Sequence, residues 1–293
     1  MSSYIYTYIS IVSVWGTHYP HILQWSAQDY TSGETFTTYV RPKIPITAKA
    51  AEITQIAVSP DGHMTHHGKP VDSLSFSQSV ERFLHFIGSG DRAGGDTTQN
   101  NKCILLAHNG KRFDFLVLFR ALDAIGQLDR LLSHVGGFAD TIHVIRHKCP
   151  GRRSYAEGNL VADILQEDFD AHNAVDDVAY LVKVMKKIGV TPADIATHVF
   201  KSNVVFADMN RKDCIETLKV LVAKEICSKS MIDTMATWGL DLEQLKARFT
   251  KGGEDGLREM FTERQGDGKP RVTAHKATLN KVIPKLATYL SAD

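Results

Sequence analysis

The chain has 293 residues, 43% of them hydrophobic, and its 34 basic and 33 acidic residues leave a formal net charge of +1. This length predicts one or two domains with a substantial core. The near-zero net charge excludes polyanion binding that rests on overall charge, so any nucleic-acid affinity must come from local patches.

Four widely spaced cysteines form no C-x-x-C pair, and the sequence opens without a recognisable secretory signal. This usage predicts reduced thiols in the nucleus or cytoplasm rather than a secreted protein. The apolar opening stretch is interrupted by Tyr, Ser and Thr and is too short to cross a bilayer, so we expect a strand and no membrane partner.

Strand-like and helix-like segments alternate over the first two hundred residues, which predicts a layered α/β domain. The predicted strands are 4–15, 21–27, 35–40, 103–108 and 138–145, and the predicted helices are 48–56, 77–88, 111–126 and 174–189. In the last helix Val178, Leu181, Val182 and Met185 share one face. Early hairpins followed by crossover helices predict a mixed sheet.

The composition shifts near residue 205, where strand signals stop. Short amphipathic segments follow, punctuated by Gly and Pro, at 210–226, 240–252, 254–264 and 273–290. We therefore predict an α/β domain at 1–205 and a small helical domain at 206–293, with the helical domain as a candidate surface for a protein partner.

The first candidate functional motif is LLAHNGKRFDFLVL, residues 105–118. A strand is predicted to end at His108, Asn109 and Gly110 form a turn, and a helix follows. Asp114 lies within an otherwise apolar run, where an unpaired buried carboxylate is costly and therefore indicates a partner or a metal. The alternative is an ordinary acidic residue near a helix start, stabilised by the helix dipole.

The second motif is DAHNAVDDVAYL, residues 170–181. Asn173 and Asp176 have the spacing of a capping box, which gives Asp176 a structural explanation. Asp177 has none, and His172 precedes it by five positions. A histidine and a carboxylate so arranged could place a general base beside a metal-bound water, although chance matches to this spacing are common.

Taken together, AHNGKRFD (107–114), FADTIHVIR (138–146) and AHNAVDDV (171–178) resemble the DEDDh exonucleases, RNase-H-like enzymes that trim nucleic-acid 3′ ends. The resemblance covers most of residues 20–200. Within that superfamily the chain most resembles the exonuclease-like proteins of the PML type, a likeness that extends to the C-terminal segment 239–273. It implies an RNase-H-like mixed sheet followed by helices.

The resemblance also implies roles for individual residues. Asp114 matches the second acidic motif and Asp177 the final acid, so both would bind a pair of Mg²⁺ or Mn²⁺ ions. His172 matches the general base that deprotonates the attacking water, and Asp140 matches a structural position. The implied reaction is 3′–5′ hydrolysis of DNA or RNA phosphodiesters.

The first motif of the family, Asp-x-Glu on the first strand, is absent. Family spacing places the aspartate near Ser10 and the glutamate near Val12. Without both acids the remaining carboxylates cannot hold two dications against their hydration. The sequence therefore predicts a chain that is inactive as it stands, and its alternative function is that of a pseudo-nuclease that binds nucleic acid or acts as a scaffold.

Two further hypotheses stay open. The opening YIYTYIS is what an alternating T-A tract encodes, so these residues could be mis-assigned, with the true acidic strand encoded upstream. A third function is a protein-interaction module that binds no nucleic acid.

Several other polar residues are candidates for nucleic-acid contacts, since phosphate contacts supply most sequence-independent affinity. They are Asn109, Arg146, Lys148, Arg152 and Arg153. A solvated basic loop after a strand explains the four cations equally well. Phe113 could also touch a terminal nucleotide, but we predict that it belongs to the core. The segment GHMTHHG (62–68) is predicted to be a polar loop rather than a metal site.

Overall fold

The computed structural model of the chain describes residues 4–16, 19–88, 102–168, 173–266 and 268–292. The chain divides into two compact units, Met1–Val205 and Phe206–Asp293. Within the described ranges, every helix is too short or too polar to cross a bilayer.

The first unit is organised around a mixed β-sheet. Its strands are β1 (Ile5–Trp15), β2 (Pro20–Asp29), β3 (Thr35–Val40), β4 (Ile56–Val58), β5 (Met64–His66), β6 (Lys69–Val71), β7 (Ser73–Leu74), β8 (Cys103–Ala107) and β9 (Val135–Asp140). Six of them form the main sheet in the order β7–β3–β2–β1–β8–β9, and β4–β5–β6 form a second, smaller sheet. The predicted mixed α/β class is confirmed.

The central strand of the main sheet is β1, which pairs antiparallel with β2 and parallel with β8. Its aromatic and β-branched residues favour an extended backbone, and Tyr8 and Ile9 are almost completely buried. Residues on both faces are buried because α-helices cover the strand from both sides. The pairing with β2 shifts register between Val12 and Ser13, which is a local irregularity of the β-bulge kind.

The helices of the first unit pack on this sheet. They are α1 (Ala48–Thr54), α2 (Phe76–Gly88), α3 (Asp114–Asp123), α4 (Leu128–His134), α5 (Thr141–Lys148), α6 (Glu157–Leu160), a π-helical turn (Val161–Leu165), α7 (Ala174–Lys187) and α8 (Pro192–Ala196). The apolar face predicted for α7 is buried. Both α3 and α7 contact β1 and β2, so their first residues are brought to the central strand.

The predicted strand 138–145 is wrong beyond Asp140. The Asp140 side chain accepts a hydrogen bond from the Ile142 backbone N–H, which makes it the N-cap of α5. The β-branched residues that follow therefore lie in a helix, where Val144 and Ile145 are buried. Helix α4 was not predicted.

The predicted polar loop 62–68 is also wrong in part, because Met64–His66 forms β5. Met64 is 2% exposed, and the Tyr39 hydroxyl lies 2.8 Å from His66 Nδ1. The alternation of an inward Met, an outward Thr and an inward His is a strand pattern, but three residues are too few to distinguish it from a turn by sequence.

The second unit consists of helices around one hydrophobic cluster. The helices are α9 (Ser202–Ala223), α10 (Lys229–Thr237), α11 (Leu242–Thr262) and α12 (Lys276–Ser291). Leu218, Leu257, Phe261 and Ile283 are fully buried in the cluster. In α11 the backbone at Gly253 has a φ of 56°, outside helical values, where the sequence predicted the break between two helices. The predicted helical C-terminal region is confirmed.

An aromatic cluster that packs against β2 provides a test of the core of the first unit. Trp25 is 1% exposed and its ring centroid lies 4.5 Å from that of Phe83 and 5.5 Å from that of Phe36. We expect Trp25→Ala to lower the free energy of unfolding by about 3–5 kcal/mol, through lost burial and the cavity left behind. Urea denaturation would measure the change.

Trp15 provides the matched control, since it lies in the same unit and is 56% exposed. Its ring contacts the Arg120 guanidinium at 6.0 Å, a contact worth about 0.5–1 kcal/mol. If Trp15→Ala and Trp25→Ala lowered the free energy of unfolding equally, the packing described for Trp25 would be contradicted.

Candidate functional site: three carboxyl groups beside the central strand

The site is built where the first residues of α3 and α7 meet β1. The Ile11 backbone N–H donates a hydrogen bond to Asp114 Oδ1 at 3.0 Å. The Ser10 hydroxyl donates to Asp177 Oδ2 at 3.1 Å. Two acids from distant sequence motifs therefore contact successive residues of one strand, and their predicted role as metal ligands stays a prediction.

Asp114 is the first residue of α3 and is 6% exposed. Burial raises the pKa of its carboxyl to about 8, against the opposing effect of the Ile11 N–H. The sequence offered two interpretations of Asp114, a buried carboxyl group with a partner and an acid at a helix start. The structure has elements of both, because Asp114 accepts a hydrogen bond and is the first residue of α3. Gly110, in the turn before α3, is tightly packed, because a Cβ there would lie 2.7 Å from Ala107 Cβ.

The N-terminal end of α7 is fixed by a polar network in which Asn173 is the N-cap, as its spacing from Asp176 indicated, and in which Gln24 was not predicted. Gln24 of β2 is fully buried; its Nε2 donates to Asn173 Oδ1 at 3.0 Å and its Oε1 accepts from the Ala174 N–H at 3.1 Å. Asn173 Nδ2 donates in turn to Asp176 Oδ2 at 2.7 Å. Gln24 thereby positions the turn that presents Asp177, and a lone Gln in a strand gives no sequence signal of this.

Glu157 is a third acid of the site, and it too was missed. Its Oε1 is buried and accepts no hydrogen bond from the described residues. Burial, reinforced by the nearby Asp177 and Asp114, raises the pKa of its carboxyl to about 9. In the sequence Glu157 begins a short helix, where an acid is ordinary. Only the fold shows that it faces the two other carboxyl groups.

Ser10 and Val12 lie near the positions on β1 where the resemblance implies the two missing acids. The Ser10 hydroxyl contacts Asp177 directly. Val12 is 8% exposed and belongs to an apolar cluster with Ile56, Met64 and Ala174. Its side chain is therefore part of the packing and supplies no ligand.

The described residues alone do not supply the oxygen ligands that the implied pair of divalent ions would need. Hard cations need several oxygen ligands around each ion. Within the described ranges, no group of three or more His, Cys, Asp or Glu side chains is placed to hold a metal ion. The predicted general base His172 lies outside the described residues, and its role stays a prediction.

Asp140 has the structural contacts expected of it. Its carboxylate accepts hydrogen bonds from the backbone N–H groups of Asn109 (3.1 Å), Lys111 (3.2 Å) and Ile142 (3.0 Å). One side chain thus ties the turn before α3 to the start of α5. The Asn109 side chain is exposed, and its backbone has a φ of 58°.

The predicted phosphate-binding cations make contacts within the protein. Lys148 Nζ donates to Asp194 Oδ2 at 2.9 Å, and Arg152 Nη2 to Asp163 Oδ2 at 2.5 Å. The Arg146 guanidinium lies 4.9 Å from the centroid of the Tyr155 ring. The basic-loop interpretation is wrong for Arg146 and Lys148, which lie in α5, whereas Arg153 is exposed in the following segment.

Phe113 is exposed, so the prediction that it belongs to the core is wrong. Its exposed fraction is 38%, and Val175 at the start of α7 is 41% exposed. Phe113 directly precedes Asp114, and Val175 lies two residues before Asp177. Apolar surface therefore flanks both acids along the chain.

The geometry defines a mixed α/β unit with three carboxyl groups beside its central strand, followed by a helical unit. Residues 214–292 match the family model described as PML, C-terminal domain. The chain is 21% identical to Protein PML of Homo sapiens over 206 residues, which are 70% of this chain and 21% of that protein. It is 18% identical to Protein PML of Mus musculus over 175 residues, which are 59% of this chain and 19% of that protein.

The predicted resemblance to PML-type proteins is confirmed by these matches. The chain spans about a fifth of the length of the curated relatives it matches.

Two solved structures are also similar. One is described as Exonuclease X in complex with 5′ overhanging duplex DNA (16% identity, TM-score 0.37, 68% of this chain and 99% of that one). The other is described as 3′-end specific recognition of histone mRNA stem-loop by 3′-exonuclease (15% identity, TM-score 0.44, 64% of this chain and 84% of that one).

The buried carboxyl groups predict a pH-dependent stability. Unfolded Asp and Glu titrate near pH 4, whereas burial raises the pKa of Asp114 to about 8 and that of Glu157 to about 9. Between about pH 4 and pH 9 the folded state therefore binds more protons than the unfolded state. The stability that the two protonated carboxyl groups contribute is complete below pH 4 and is lost as the pH rises toward 9.

We expect the free energy of unfolding to fall from pH 5 to pH 9, and Glu157→Gln to make that fall smaller, because glutamine cannot ionise. Urea denaturation at pH 5, 7 and 9 would measure both slopes. Glu52→Gln, at an exposed position of α1, is the matched control. A Glu157→Gln slope equal to that of the unchanged chain would contradict the buried position of this carboxyl group.

Proposed function

We propose that the first unit binds the 3′ end of a DNA or RNA strand without hydrolysing it, as an inactive relative of the 3′–5′ exonucleases. The observation that carries this proposal is Ser10, whose hydroxyl contacts Asp177 at the position where the resemblance expects the first acid. The competing function is hydrolysis by two metal ions, with His172 as the base and Asp114 and Asp177 as ligands.

The chemistry of the described residues argues against hydrolysis. Ser10 is a neutral donor and Val12 is apolar, so β1 brings no negative charge to neutralise a cation. The Asp114 carboxyl, whose pKa burial raises to about 8, must lose its proton before it can donate an electron pair to a hard cation. The hydrogen bonds here run between β1 and the two acids: Ser10 donates to Asp177, and the Ile11 backbone N–H donates to Asp114.

Several features support binding of a strand end. Helices α3 and α7 both begin at the site, and helix N-terminal ends favour phosphate groups. A chain without the first-strand acids also repels phosphate less. Phe113 offers an exposed ring, and stacking on aromatic rings is a sequence-tolerant way to bind bases.

The cations Arg146, Lys148, Arg152 and Arg153 remain candidates for phosphate contacts, together with Asn109. The ion pairs of Lys148 and Arg152 are partly exposed, and such pairs are worth about 0–1 kcal/mol. Phosphate oxygens could therefore replace the carboxylates at little cost. We place the site of action in the nucleus or cytoplasm and assign protein-partner binding to the helical unit.

Restoring the acids tests the loss of catalysis. We expect the unchanged chain to bind a 5′-labelled oligonucleotide and to release no nucleotides with Mg²⁺ or Mn²⁺. The variant Ser10→Asp/Val12→Glu should gain metal-dependent 3′ trimming at least tenfold above that background, because it supplies the missing oxygen ligands. Adding Asp177→Asn to the double variant should remove the gain.

Calorimetric titration with Mn²⁺ gives a second readout, in which the double variant should bind the ion more tightly than the unchanged chain. If the double variant does not fold, Ser10→Asp alone keeps this titration available, because Ser10 lies outside the apolar cluster. Metal-dependent trimming by the unchanged chain, abolished by Asp177→Asn, would overturn the proposal in favour of the active enzyme.

A second experiment tests nucleic-acid binding itself. Base stacking on an aromatic ring is worth about 1–3 kcal/mol, so Phe113→Ala should weaken binding of a single-stranded oligonucleotide by about 5–150-fold. Filter binding at two salt concentrations would measure the affinity and its electrostatic part. Phe206→Ala, at an exposed phenylalanine of the helical unit, should leave the affinity unchanged.

If the unchanged chain binds no oligonucleotide at low salt, the nucleic-acid function is wrong and a protein-interaction module is the better description. Equal affinities for the Phe113 variant and the unchanged chain would contradict the role of the exposed ring.

A further inference from the structure

A small cavity lies in the first unit, away from the three carboxyl groups. It is enclosed by the start of β2, the segment after β3, the N-terminal end of α2 and the C-terminal end of α3, and its volume is about 150 Å³. Its apolar walls are Pro20, Ile22, Val40, Pro42, Phe76 and Ile125. Since Asp114 is at the other end of α3, a helix of about 15 Å separates the cavity from the carboxyl site.

The volume limits what the cavity can hold. A cavity of about 150 Å³ accepts a single benzene-sized group, whereas pockets for drug-sized molecules measure about 300–1,000 Å³. One phenyl ring or one branched aliphatic side chain therefore fits, and the remainder of its molecule must lie outside, against the rim.

The rim is positively charged. Arg41 and Lys43 line the cavity and are both exposed, and the described lining contains no carboxylate. His21 stacks on Tyr19 at 4.8 Å, and burial and then Lys43 lower its pKa, which disfavours its charged form. The positive potential comes from the two long side chains and from the N-terminal end of α2, which adds a partial positive charge.

We propose that this cavity binds an acidic peptide, with one leucine- or phenylalanine-sized side chain in the cavity and flanking carboxylates paired with Arg41 and Lys43. Burial of the anchor side chain supplies affinity, and the two cations select the charge around it. A nucleobase fits less well, because mostly apolar walls would leave its polar edges without hydrogen-bond partners. The proposal is independent of nucleic-acid binding at the carboxyl site.

Fluorescence anisotropy with the full chain tests it. The probe is a labelled peptide with three glutamates on each side of one leucine, compared with the same peptide carrying serine at the centre. We expect saturable binding of the leucine peptide, weakened at higher salt because the charges are exposed, and at least tenfold weaker binding of the serine peptide.

Charge-reversal variants locate the binding. Arg41→Glu/Lys43→Glu should weaken the leucine peptide at least tenfold. Lys49→Glu/Lys69→Glu makes the same change in net charge at exposed positions elsewhere in the unit and should alter affinity less than twofold. Phe113→Ala should not change the affinity for the leucine peptide, because Phe113 lies beside the carboxyl site and not at the cavity. Arg41→Gln/Lys43→Gln serves as the milder pair if the reversal lowers the unfolding temperature.

Equal binding of the serine and leucine peptides would overturn the proposal, because attraction would then be electrostatic alone. So would loss of oligonucleotide binding, rather than peptide binding, in the Arg41/Lys43 variants, since that result would assign the rim to nucleic acid.

Discussion

The hydrogen bond from the Ile11 backbone N–H to the Asp114 carboxyl group is the contact on which the arrangement of the site depends. The central strand β1 pairs in parallel with β8 over Ile5–Tyr8, so Ile11 lies beyond that ladder. A buried backbone N–H without a partner would be costly. Asp114, the first residue of α3, supplies the acceptor. The helix start and the strand are thereby joined, and this structural duty explains an acid in an apolar run without any metal.

Hydrogen bonds also fix the neighbouring start of α7. Ser10 donates to Asp177, and Gln24 of the neighbouring strand satisfies both Asn173 and the first N–H of α7. The acids of α7 thus accept from neutral side chains, Asp177 from Ser10 and Asp176 from Asn173, whereas Asp114 of α3 accepts from a backbone N–H. Glu157 is the exception, since its Oε1 finds no donor among the described residues and burial favours its protonated form. Among the described residues, Asp114 and Asp177 thus each have a hydrogen-bond donor on β1, whereas Glu157 Oε1 has none.

Regular periodicity made much of the fold predictable. The strand 35–40 was predicted at the residues where it is observed, and the buried face of α7 follows from its apolar spacing. Local signals failed where tertiary contacts decide. Asp140 turns a β-branched segment into a helix by capping it, and β5 is too short to show its alternation. In the site, the two sequence motifs taken together identified Asp114 and Asp177 as candidate residues. The position of Glu157 and the exposure of Phe113 depend on tertiary contacts between distant segments, which no local sequence pattern encodes.

The packing of Val12 makes the two first-strand positions physically unequal. The Val12 side chain lies among Ile56, Met64 and Ala174, so a glutamate there would be a buried charge without a polar partner. An aspartate at Ser10 would instead lie beside the Asp177 carboxyl group, where its cost is repulsion between like charges. Desolvation thus opposes an acid at one position and electrostatic repulsion opposes it at the other, although a single residue separates the two on the same strand.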